Sequence, residues 1–489
     1  MVLPRSRLLV TGILVTFGGS FHFGYQLGYI NPTARIFKTF FNVSFFGHYN
    51  RFLSEAQFRL VWSNFVGLVV LGALIGVLLV PTLAARFGRR RSLYLNACWM
   101  VLCALPSSLA HYFMSFELLV LGRAMYGLGC GVAAGMETLF LTEISPSKYR
   151  GLLGSMTGFM IQFGVLCGAV VGIPHFLGTE DRWPLILWIE VVPSSVLIVF
   201  MVFSNESPNY LVNKGRQQNA ERSLLKYHGK KCETDQILGS LLNNAQEKEN
   251  AHGLLAVSRI RFAGKGVLLG MLANLAVAFS GIVATSFFST HLLSQAGFNH
   301  NQASLANILV VFGSVTGVFL SLWTVDHFGR RPLLLFSCGC LTLINVTMLI
   351  LLLLYDLFGD KQMAFLILIV SIILMLVYSV GLGPIPMFIT TELVPEDAKS
   401  AAQSVAIMMQ YLGGFFSPVA FFLLQGVVGP YSFLLFVVPL ASVTAYFYFL
   451  LPETKNTNRR DVLLQMYGDT VLDYHQSKTY ENFAEQLSF

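Results

Sequence analysis

Apolar residues are gathered into twelve long runs, and polar residues are largely confined to the segments between them. Each run has about 20 residues or more, the length that an α-helix needs to cross a bilayer. Lipid offers no partners to free backbone amides, and the runs do not alternate with polar residues, so helices rather than barrel strands are predicted. The runs lie at 8–30, 61–83, 92–112, 116–140, 154–174, 185–203, 266–292, 302–325, 332–355, 363–389, 399–426 and 430–451.

The composition supports a chain that is embedded in lipid. Of the 489 residues, 55% are apolar and 12% are charged, whereas about 25% of residues are charged in an average soluble protein. We therefore predict an all-α membrane protein with twelve transmembrane helices and the lipid bilayer as its surroundings.

The distribution of Lys and Arg predicts the orientation. If both termini are cytoplasmic, the cytoplasmic segments hold 25 of the 32 basic residues and the outer loops hold 6, while Arg123 lies inside the fourth run. This bias follows the positive-inside rule. The net charge of +7 is thus explained by topology, and nucleic-acid binding is not predicted because the basic residues are divided among short loops.

The cysteines and short motifs exclude several classes of protein. None of the seven cysteines lies in a predicted outer loop, so no disulfide framework is expected. The sequence has no C-x-x-C pattern, phosphate loop or plausible set of catalytic residues, so we predict no metal, no cofactor and no enzyme activity. Asn42 begins an Asn-Val-Ser sequon in the long first outer loop and is a predicted glycosylation site.

A polar segment at 204–265 divides the runs into six and six. We predict an N-terminal half at 1–203, a cytoplasmic linker with short helices at 204–265, a C-terminal half at 266–451 and a cytoplasmic tail at 452–489.

The two halves repeat the same charged motifs in the same order. Gly88-Arg89-Arg90 follows the second run and Gly329-Arg330-Arg331 follows the eighth. The related stretches TEISPSKYRG and TELVPEDAKS follow the fourth and the tenth runs, beginning at Thr142 and Thr391. Two matches at corresponding positions indicate duplication, and a parallel six-plus-six repeat is the layout of major facilitator transporters.

Further motifs make the resemblance specific. They are Phe23-Gly24-Tyr25, Gly383-Pro384-Ile385-Pro386 and Pro452-Glu453-Thr454-Lys455. With the repeated motifs, they make the chain resemble the sugar-porter branch of the major facilitator superfamily, and the facilitative hexose carriers in particular, over residues 8 to about 455. The resemblance implies a twelve-helix fold with a central site between two halves, alternating access, and a place in the plasma membrane.

Charged residues at the predicted cytoplasmic ends of the helices form a candidate gate, or latch. In the outward-open state such groups can pair between neighbouring helices and hold the inner gate shut, and in the inward-open state the pairs part. A two-state element of this kind is what alternating access requires. The alternative is that they only anchor helix ends, since an exposed ion pair contributes about 0–1 kcal/mol. The latch residues are Arg89, Arg90, Glu143, Arg150, Arg330, Arg331, Glu392 and Lys399, to which the resemblance adds Glu206 and Glu453.

The latch departs from the family pattern at three positions. Asn209 stands where the family usually has an Arg, and Lys399 also replaces a usual Arg. Lys lacks the bidentate fork of Arg. Ala85 also replaces a usual polar residue before Arg86, so we expect a latch that is looser than is typical of the family.

The predicted substrate path has few amide side chains. Run seven reads VAFSGIV from Val277, where hexose carriers usually have three amides. Serines in membrane helices often serve packing instead of binding, and this alternative applies to Ser280 and Ser314. The candidates for substrate binding are Gln26, Gln162, Ser280, Ser314, Tyr378, Ser379 and Gln410.

Three charged residues and one interrupted helix complete the candidate machinery. Arg123, Glu137 and Glu190 lie inside predicted spans, where ionisable groups are functional hypotheses by default. Either acid could pair with Arg123 or carry a proton. The resemblance implies an acid at position 26 in proton-coupled porters, so Gln26 favours uniport. Gly383, Pro384 and Pro386 interrupt run ten and form a predicted hinge.

These observations predict a facilitative carrier of a hexose or related polyol. Two alternatives stay open: a carrier of the same fold for a non-sugar solute, such as an organic anion or urate, and a non-transporting sugar sensor. The missing amides of run seven support the first alternative, and the short segment after Leu451 argues against the second.

Overall fold

The structure is a computed structural model that describes residues 6–146, 149–227, 238–239, 263–295, 297–359, 361–394, 399–455, 457 and 459–467. Within these residues all regular structure is helical. The helices are α1 Ser6–Phe17, α2 Ser20–Gly28, α3 Ile30–Tyr49, α4 Glu55–Phe87, α5 Arg89–Tyr112, α6 Phe116–Ile144, α7 Arg150–Val171, α8 Trp183–Ile189, α9 Val191–Phe203, α10 Pro208–Asn213, α11 Gln217–Tyr227, α12 Ala263–Phe279, α13 Ile282–Gln295, α14 His300–Phe328, α15 Arg330–Phe358, α16 Lys361–Val377, α17 Pro386–Leu393, α18 Lys399–Val428, α19 Leu434–Leu450 and α20 Arg459–Tyr467.

Eleven segments among the described residues are long and apolar enough to cross a membrane. The last of them, Ala402–Leu450, contains two spans, because α18 ends at Val428 and a 3₁₀ turn, Gly429–Phe433, separates it from α19. The expected twelve spans are therefore present.

Four of the spans are broken. Span one breaks at Gly18-Gly19, span six at Glu190, span seven at Ser280-Gly281, and span ten at a π-helical turn, Tyr378–Leu382. Each break frees backbone groups that need partners inside lipid. In span seven Gly281 has a φ of +84°, and the Asn345 side chain on α15 donates a hydrogen bond to the Ser280 carbonyl at 3.0 Å.

The predicted first outer loop is largely a helix. The 20-residue α3 buries Phe37, Phe40 and Phe41 against the bundle. The sequon residue Asn42 lies on this helix and is half-buried. The Ser44 hydroxyl donates a hydrogen bond to the Met114 carbonyl at 2.5 Å and accepts one from the Phe116 amide at 2.9 Å. Glycosylation at Asn42 stays a prediction.

The polar linker contains α10 and α11 in its described part. The assignment of 204–265 as a cytoplasmic linker stays a prediction, and nearly all of its remainder lies outside the described residues.

Helices pack closely where small residues face each other. A Cβ atom on Gly72 of α4 would lie 2.7 Å from the Ala124 carbonyl oxygen of α6. Close backbone approach through glycine is typical of membrane helices. Helices of the first six spans meet those of the last six along two seams, α4 with α18 and α7 with α14, and the space between the seams forms the central cavity.

Candidate functional site

A cavity of about 1880 Å³ extends from the middle of the bundle to one end. That end carries Gly88-Arg89-Arg90 and Gly329-Arg330-Arg331, and we call it the basic end. Arg89, Arg330 and Glu392 line the mouth of the cavity there. The opposite end, where α3 lies, is called the far end. The charge bias of the sequence predicts that the basic end is cytoplasmic.

Five predicted substrate-binding residues line this cavity. They come from four spans of both sets of six: Gln162 on α7, Ser314 on α14, Tyr378 and Ser379 on the π turn, and Gln410 on α18. The hydroxyl oxygens of Ser314 and Ser379 are 3.1 Å apart. The Oε1 atom of Gln410 is buried and has no hydrogen-bond partner among the described residues. A buried acceptor without a partner is unfavourable, so this atom is suited to a ligand that donates a hydrogen bond.

Gln26 and Ser280 are not among the residues that line the cavity in this structure, and a role for either in substrate binding stays a prediction. Both side chains are fully buried. Ser280 completes the break in span seven: its hydroxyl donates to the Val277 carbonyl at 2.7 Å and accepts from the Ile282 amide at 3.2 Å. The Ser280 hydroxyl therefore makes its hydrogen bonds to backbone groups at the helix break, which the sequence did not reveal.

Gln26 belongs to a buried network around Arg123. The side-chain Oε1 atom of Gln26 accepts hydrogen bonds from Arg123 at 2.7 Å and from the Tyr29 hydroxyl at 2.9 Å, and its side-chain Nε2 atom donates to Glu190 at 2.9 Å. Arg123 also donates to the Phe65 carbonyl of α4 at 3.0 Å. The network therefore ties together spans one, two, four and six.

The network extends beyond Glu190 to a residue that the sequence analysis missed. His22 Nδ1 lies 3.6 Å from Glu190, and the Ser194 hydroxyl is 2.9 Å from His22 Nε2. All three side chains are fully buried. His22 lies one helical turn before Gln26, and this spacing places both on the same face of α2.

Glu137 has a different partner. Its Oε2 atom accepts a hydrogen bond from the Ser20 amide at 2.9 Å, and its Oε1 atom accepts one from the Ser20 hydroxyl. Ser20 is the first residue of α2, and a carboxylate at a helix N-terminus satisfies free amides and the helix dipole. Glu137 thus closes the break in span one.

Hydroxyl residues of α6 were also missed as part of the cavity lining. Thr138 and Thr142, one turn apart, both face it. Their hydroxyls bond the carbonyls of Ala134 at 2.7 Å and of Thr138 at 2.8 Å. Threonine in a membrane helix commonly bonds a backbone carbonyl of its own helix, whether it faces lipid, another helix or a cavity. The sequence therefore does not show which threonines line the cavity.

The first group of latch residues forms a compact cluster. Arg89 donates a hydrogen bond to Glu143 at 2.7 Å, and Glu143 also accepts one from the Ser207 hydroxyl. The Oε1 atom of Glu206 accepts from the backbone amides of Arg89 and Arg90, both at 2.9 Å. The Arg90 side chain donates to the Met201 carbonyl at 2.7 Å. Spans three, four and six are thereby joined at the basic end.

The second group repeats this arrangement with a longer ion pair. Arg330 lies 3.6 Å from Glu392, which also accepts a hydrogen bond from the Thr454 hydroxyl at 2.5 Å. The Oε1 and Oε2 atoms of Glu453 accept from the backbone amides of Arg330 and Arg331, each at 3.1 Å. Arg331 donates to the Tyr448 carbonyl at 2.8 Å.

The side chains of Arg150 and Lys399 lie outside the described residues. Among the described residues, the structure shows two ion pairs at the basic end. One joins two residues of the first six spans, and the other joins two residues of the last six. They are formed while the cavity is open at this end, although the latch hypothesis expects them to part in that state. The gate role stays a prediction.

The far end is closed by contacts between the two sets of spans. Asn31 of α3 donates a hydrogen bond to the Ser286 carbonyl of α13, and its own carbonyl accepts one from the Thr290 hydroxyl at 2.8 Å. The Lys38 ammonium of α3 lies 5.9 Å from the ring centre of Phe422 on α18. As far as the described residues show, the cavity therefore opens only at the basic end.

The predicted hinge coincides with an observed interruption. After the π turn, the Gly383 amide donates to the Tyr378 carbonyl at 2.8 Å, and α17 begins only at Pro386. Gly383 and Pro384 line the cavity. Movement at this point stays a prediction.

Twelve spans around a central cavity define the class of the protein. The fold is similar to that of the proton:xylose symporter XylE, with a TM-score of 0.77 at 20% identity over 95% of this chain and 100% of that one. The inward-open form of the xylose transporter XylE from E. coli gives a TM-score of 0.75, also at 20% identity, over 94% of this chain and 100% of that one. The chain therefore has the fold of these transporters.

The family follows from the sequence comparison. The model of the family "Sugar (and other) transporter" matches residues 11–461, and the chain belongs to this family. Facilitated glucose transporter protein 1 of Caenorhabditis elegans is 30% identical over 89% of this chain and 86% of its own length. The human solute carrier family 2, facilitated glucose transporter member 3, is 29% identical over 93% of this chain and 91% of its own length. The protein is a multi-pass membrane transporter and not an enzyme, as expected.

Proposed function

We propose that the protein is a facilitative carrier that moves a hexose or a related polyol across the membrane by alternating access. One observation carries the proposal: neutral hydrogen-bonding side chains from both sets of spans converge on one cavity, among them Gln410 with its unpartnered Oε1 atom. The two relatives named above are glucose transporters by name, and they match nearly the whole chain.

The charges around the cavity favour a neutral substrate. The charged residues that line it are Arg89, Lys214, Arg330 and Glu392. The first, third and fourth are latch residues at the basic end, and Lys214 follows α10 in the linker between the two sets of spans. The deeper lining, as far as the structure describes it, is neutral. Sugar hydroxyls match such a lining, because each can replace water with a protein hydrogen bond that contributes about 0.5–1.5 kcal/mol.

The positions of the buried acids favour uniport. Glu137 is bonded to Ser20, and Glu190 is bonded to Gln26 within the Arg123 network. Neither carboxylate belongs to the cavity lining. Among the described lining residues the one acid is Glu392, at the basic end. A substrate in the deeper part of the cavity therefore has no acid beside it that could exchange a proton as it binds, and transport down a gradient needs none.

We further propose how the parts move. The spans of 1–203 and of 266–451 rock as two bodies about the seams, the linker 204–265 and the tail 452–489 stay at the basic end, and span ten bends at Gly383, Pro384 and Pro386. The latch clusters hold the helices of each body together at that end. We place the termini in the cytoplasm and the protein in the plasma membrane, on the strength of the basic residues and of the named relatives.

A second candidate is a carrier for a non-sugar solute of the same size. The observation that favours it is the apolar contribution of span seven, where Val277, Ile282 and Val283 line the cavity. A solute with fewer hydroxyls would fit that wall better than a hexose does.

Transport by the purified protein in liposomes tests the proposal. Uptake of labelled glucose, fructose and urate is measured with and without a pH gradient. We expect saturable uptake of at least one sugar that reaches, and does not exceed, the outside concentration in either condition. Saturable uptake of urate alone supports the second candidate and contradicts the first. Accumulation driven by the gradient contradicts uniport.

A further inference from the structure

A second cavity, of about 550 Å³, lies beside the mouth of the central one. It is formed between the beginning of α5 and the linker helices α10 and α11, and Tyr210 and Lys214 line both cavities. We call it the linker cavity. Its charged lining residues are Arg90, Arg91, Glu206, Lys214, Arg216 and Arg222.

The linker cavity has a large positive excess. Five of these six side chains are cationic and one is acidic. The Oε1 atom of the single carboxylate, Glu206, is already engaged by the backbone amides of Arg89, Arg90 and Ser207, each at 2.9 Å. Four positive charges therefore have no balancing anion in the lining.

The local backbone makes this excess unfavourable without a ligand. Arg89, Arg90 and Arg91 occupy the first turn of α5, which has no acidic residue. The N-terminus of a helix carries a partial positive charge that disfavours cations and attracts anions. Arg90 also acts on a group outside the lining: the pKa of Lys226 on α11 is lowered first by burial and then by the charges of Arg7 and Arg90.

Three of the cations are available to a ligand. Arg90 is committed to the Met201 and Val202 carbonyls, at 2.7 and 2.8 Å. The side chains of Arg91, Arg216 and Arg222 are exposed, and the structure shows no hydrogen bond or ion pair for them within its described residues. Guanidinium groups bind phosphate oxygens through paired N–H donors, which makes such a cluster selective for phosphate over weaker anions.

We propose that the linker cavity binds a ligand with two or more phosphate groups, either a soluble phosphate ester or the headgroup of a phosphoinositide lipid. A single phosphate monoester carries about −1.5 to −2 charges, which is less than the excess of four. A lipid headgroup can reach the linker cavity from the outer surface of the bundle. Arg90 binds the Val202 carbonyl, and the next residue, Phe203, is 74% exposed on that surface.

Binding to the full-length protein tests this site. The purified protein, in nanodiscs of neutral lipid at low salt, is titrated with ATP and with inositol trisphosphate. A parallel sample is placed in nanodiscs that contain phosphatidylinositol bisphosphate. We expect saturable binding that weakens as salt rises. Displacement of inositol trisphosphate by the phosphoinositide assigns the site to the headgroup, and soluble binding without such competition assigns it to a free ester.

Matched variants localise the binding. The double variant Arg216→Glu with Arg222→Glu is expected to weaken binding at least about tenfold, since two charge-assisted phosphate contacts are lost. The single change Arg222→Glu is compared with Lys265→Glu, an exposed cation on α12 outside the linker cavity, which is expected to leave binding within about twofold. Arg216→Gln with Arg222→Gln repeats the test without charge reversal, and thermal unfolding checks that all variants fold. No saturable binding of any probe, or an equal loss in Lys265→Glu, overturns the proposal. Binding at the linker cavity is measured without any transported solute, so this test does not depend on which solute the protein carries.

Discussion

The side-chain amide of Gln26 connects Arg123 to Glu190. Gln26 accepts a hydrogen bond from Arg123 at 2.7 Å and donates one to Glu190 at 2.9 Å. All three side chains are at most 2% exposed. The amide can do this because it presents an acceptor to the cation and a donor to the anion. The residue whose lack of charge favours the uniport that we propose is thus also the link between Arg123 and Glu190.

Gln26→Leu is expected to lower stability strongly. The change removes both links and leaves Arg123 and Glu190 with fewer partners, a situation that costs about 3–5 kcal/mol when a buried pair is broken. The measurement is thermal unfolding in detergent. Gln217→Leu, an exposed residue of α11, is the control and is expected to leave the Tm nearly unchanged. Equal Tm values for Gln26→Leu and the wild type would contradict the role given to the network.

Gln162→Ala and Gln410→Ala are expected to raise the half-saturation concentration of sugar uptake by about tenfold each. Each change removes hydrogen bonds to substrate of about 1 kcal/mol or slightly more. The assay is initial uptake at varied sugar concentration. Ser280→Ala is the control: its hydroxyl serves the helix break, so protein stability and not the half-saturation concentration should change. If Gln162→Ala transports like the wild type, that side chain serves packing.

Glu143→Ala is expected to impair transport more than Glu392→Ala. The Arg89–Glu143 pair is at 2.7 Å with exposures of 14% and 11%, whereas the Arg330–Glu392 pair is at 3.6 Å with 21% and 30%. A short, less exposed pair is stronger, so we expect losses of about tenfold and two- to threefold in uptake rate. Arg150→Ala should likewise exceed Lys399→Ala. Equal losses, or none, would mean that the motifs mark topology alone.

Asn31→Ala is expected to open the far end. Asn31 joins α3 to α13 through its side chain and through its carbonyl, and these links must break when the cavity turns to that side. Spin labels at Thr39 of α3 and Val427 of α18, both exposed, should report a larger population of long distances in the variant. The control carries the same two labels in an Asn64→Ala background, because the hydrogen bond that the structure shows for the Asn64 side chain goes to the Leu60 carbonyl of its own helix. Unchanged distances in Asn31→Ala would contradict this role.

The spans and the charged clusters were predictable from the sequence, and the helix breaks were only partly so. Continuous apolar runs and the Gly-Arg-Arg motifs are local signals, and a helix in lipid satisfies its own backbone. The break in span ten carries Gly and Pro. The breaks at Ser280 and Glu190 depend on partners from other spans, such as Asn345 and Gln26, and a single sequence does not show which spans are neighbours. For the same reason Gln26 and Ser280 were assigned to the cavity, and His22 was missed.

The direction in which the cavity opens has a pharmacological consequence. In this state α3 and its contacts shut the far end, and the Gln162–Gln410 region is reached only past the charged basic end. With the orientation that we propose, an inhibitor designed to fit this cavity has to enter the cell before it can bind. A screen on intact cells, in which compounds act from outside, will therefore select ligands of the opposite state. Such a screen and one based on this cavity should yield different chemical series.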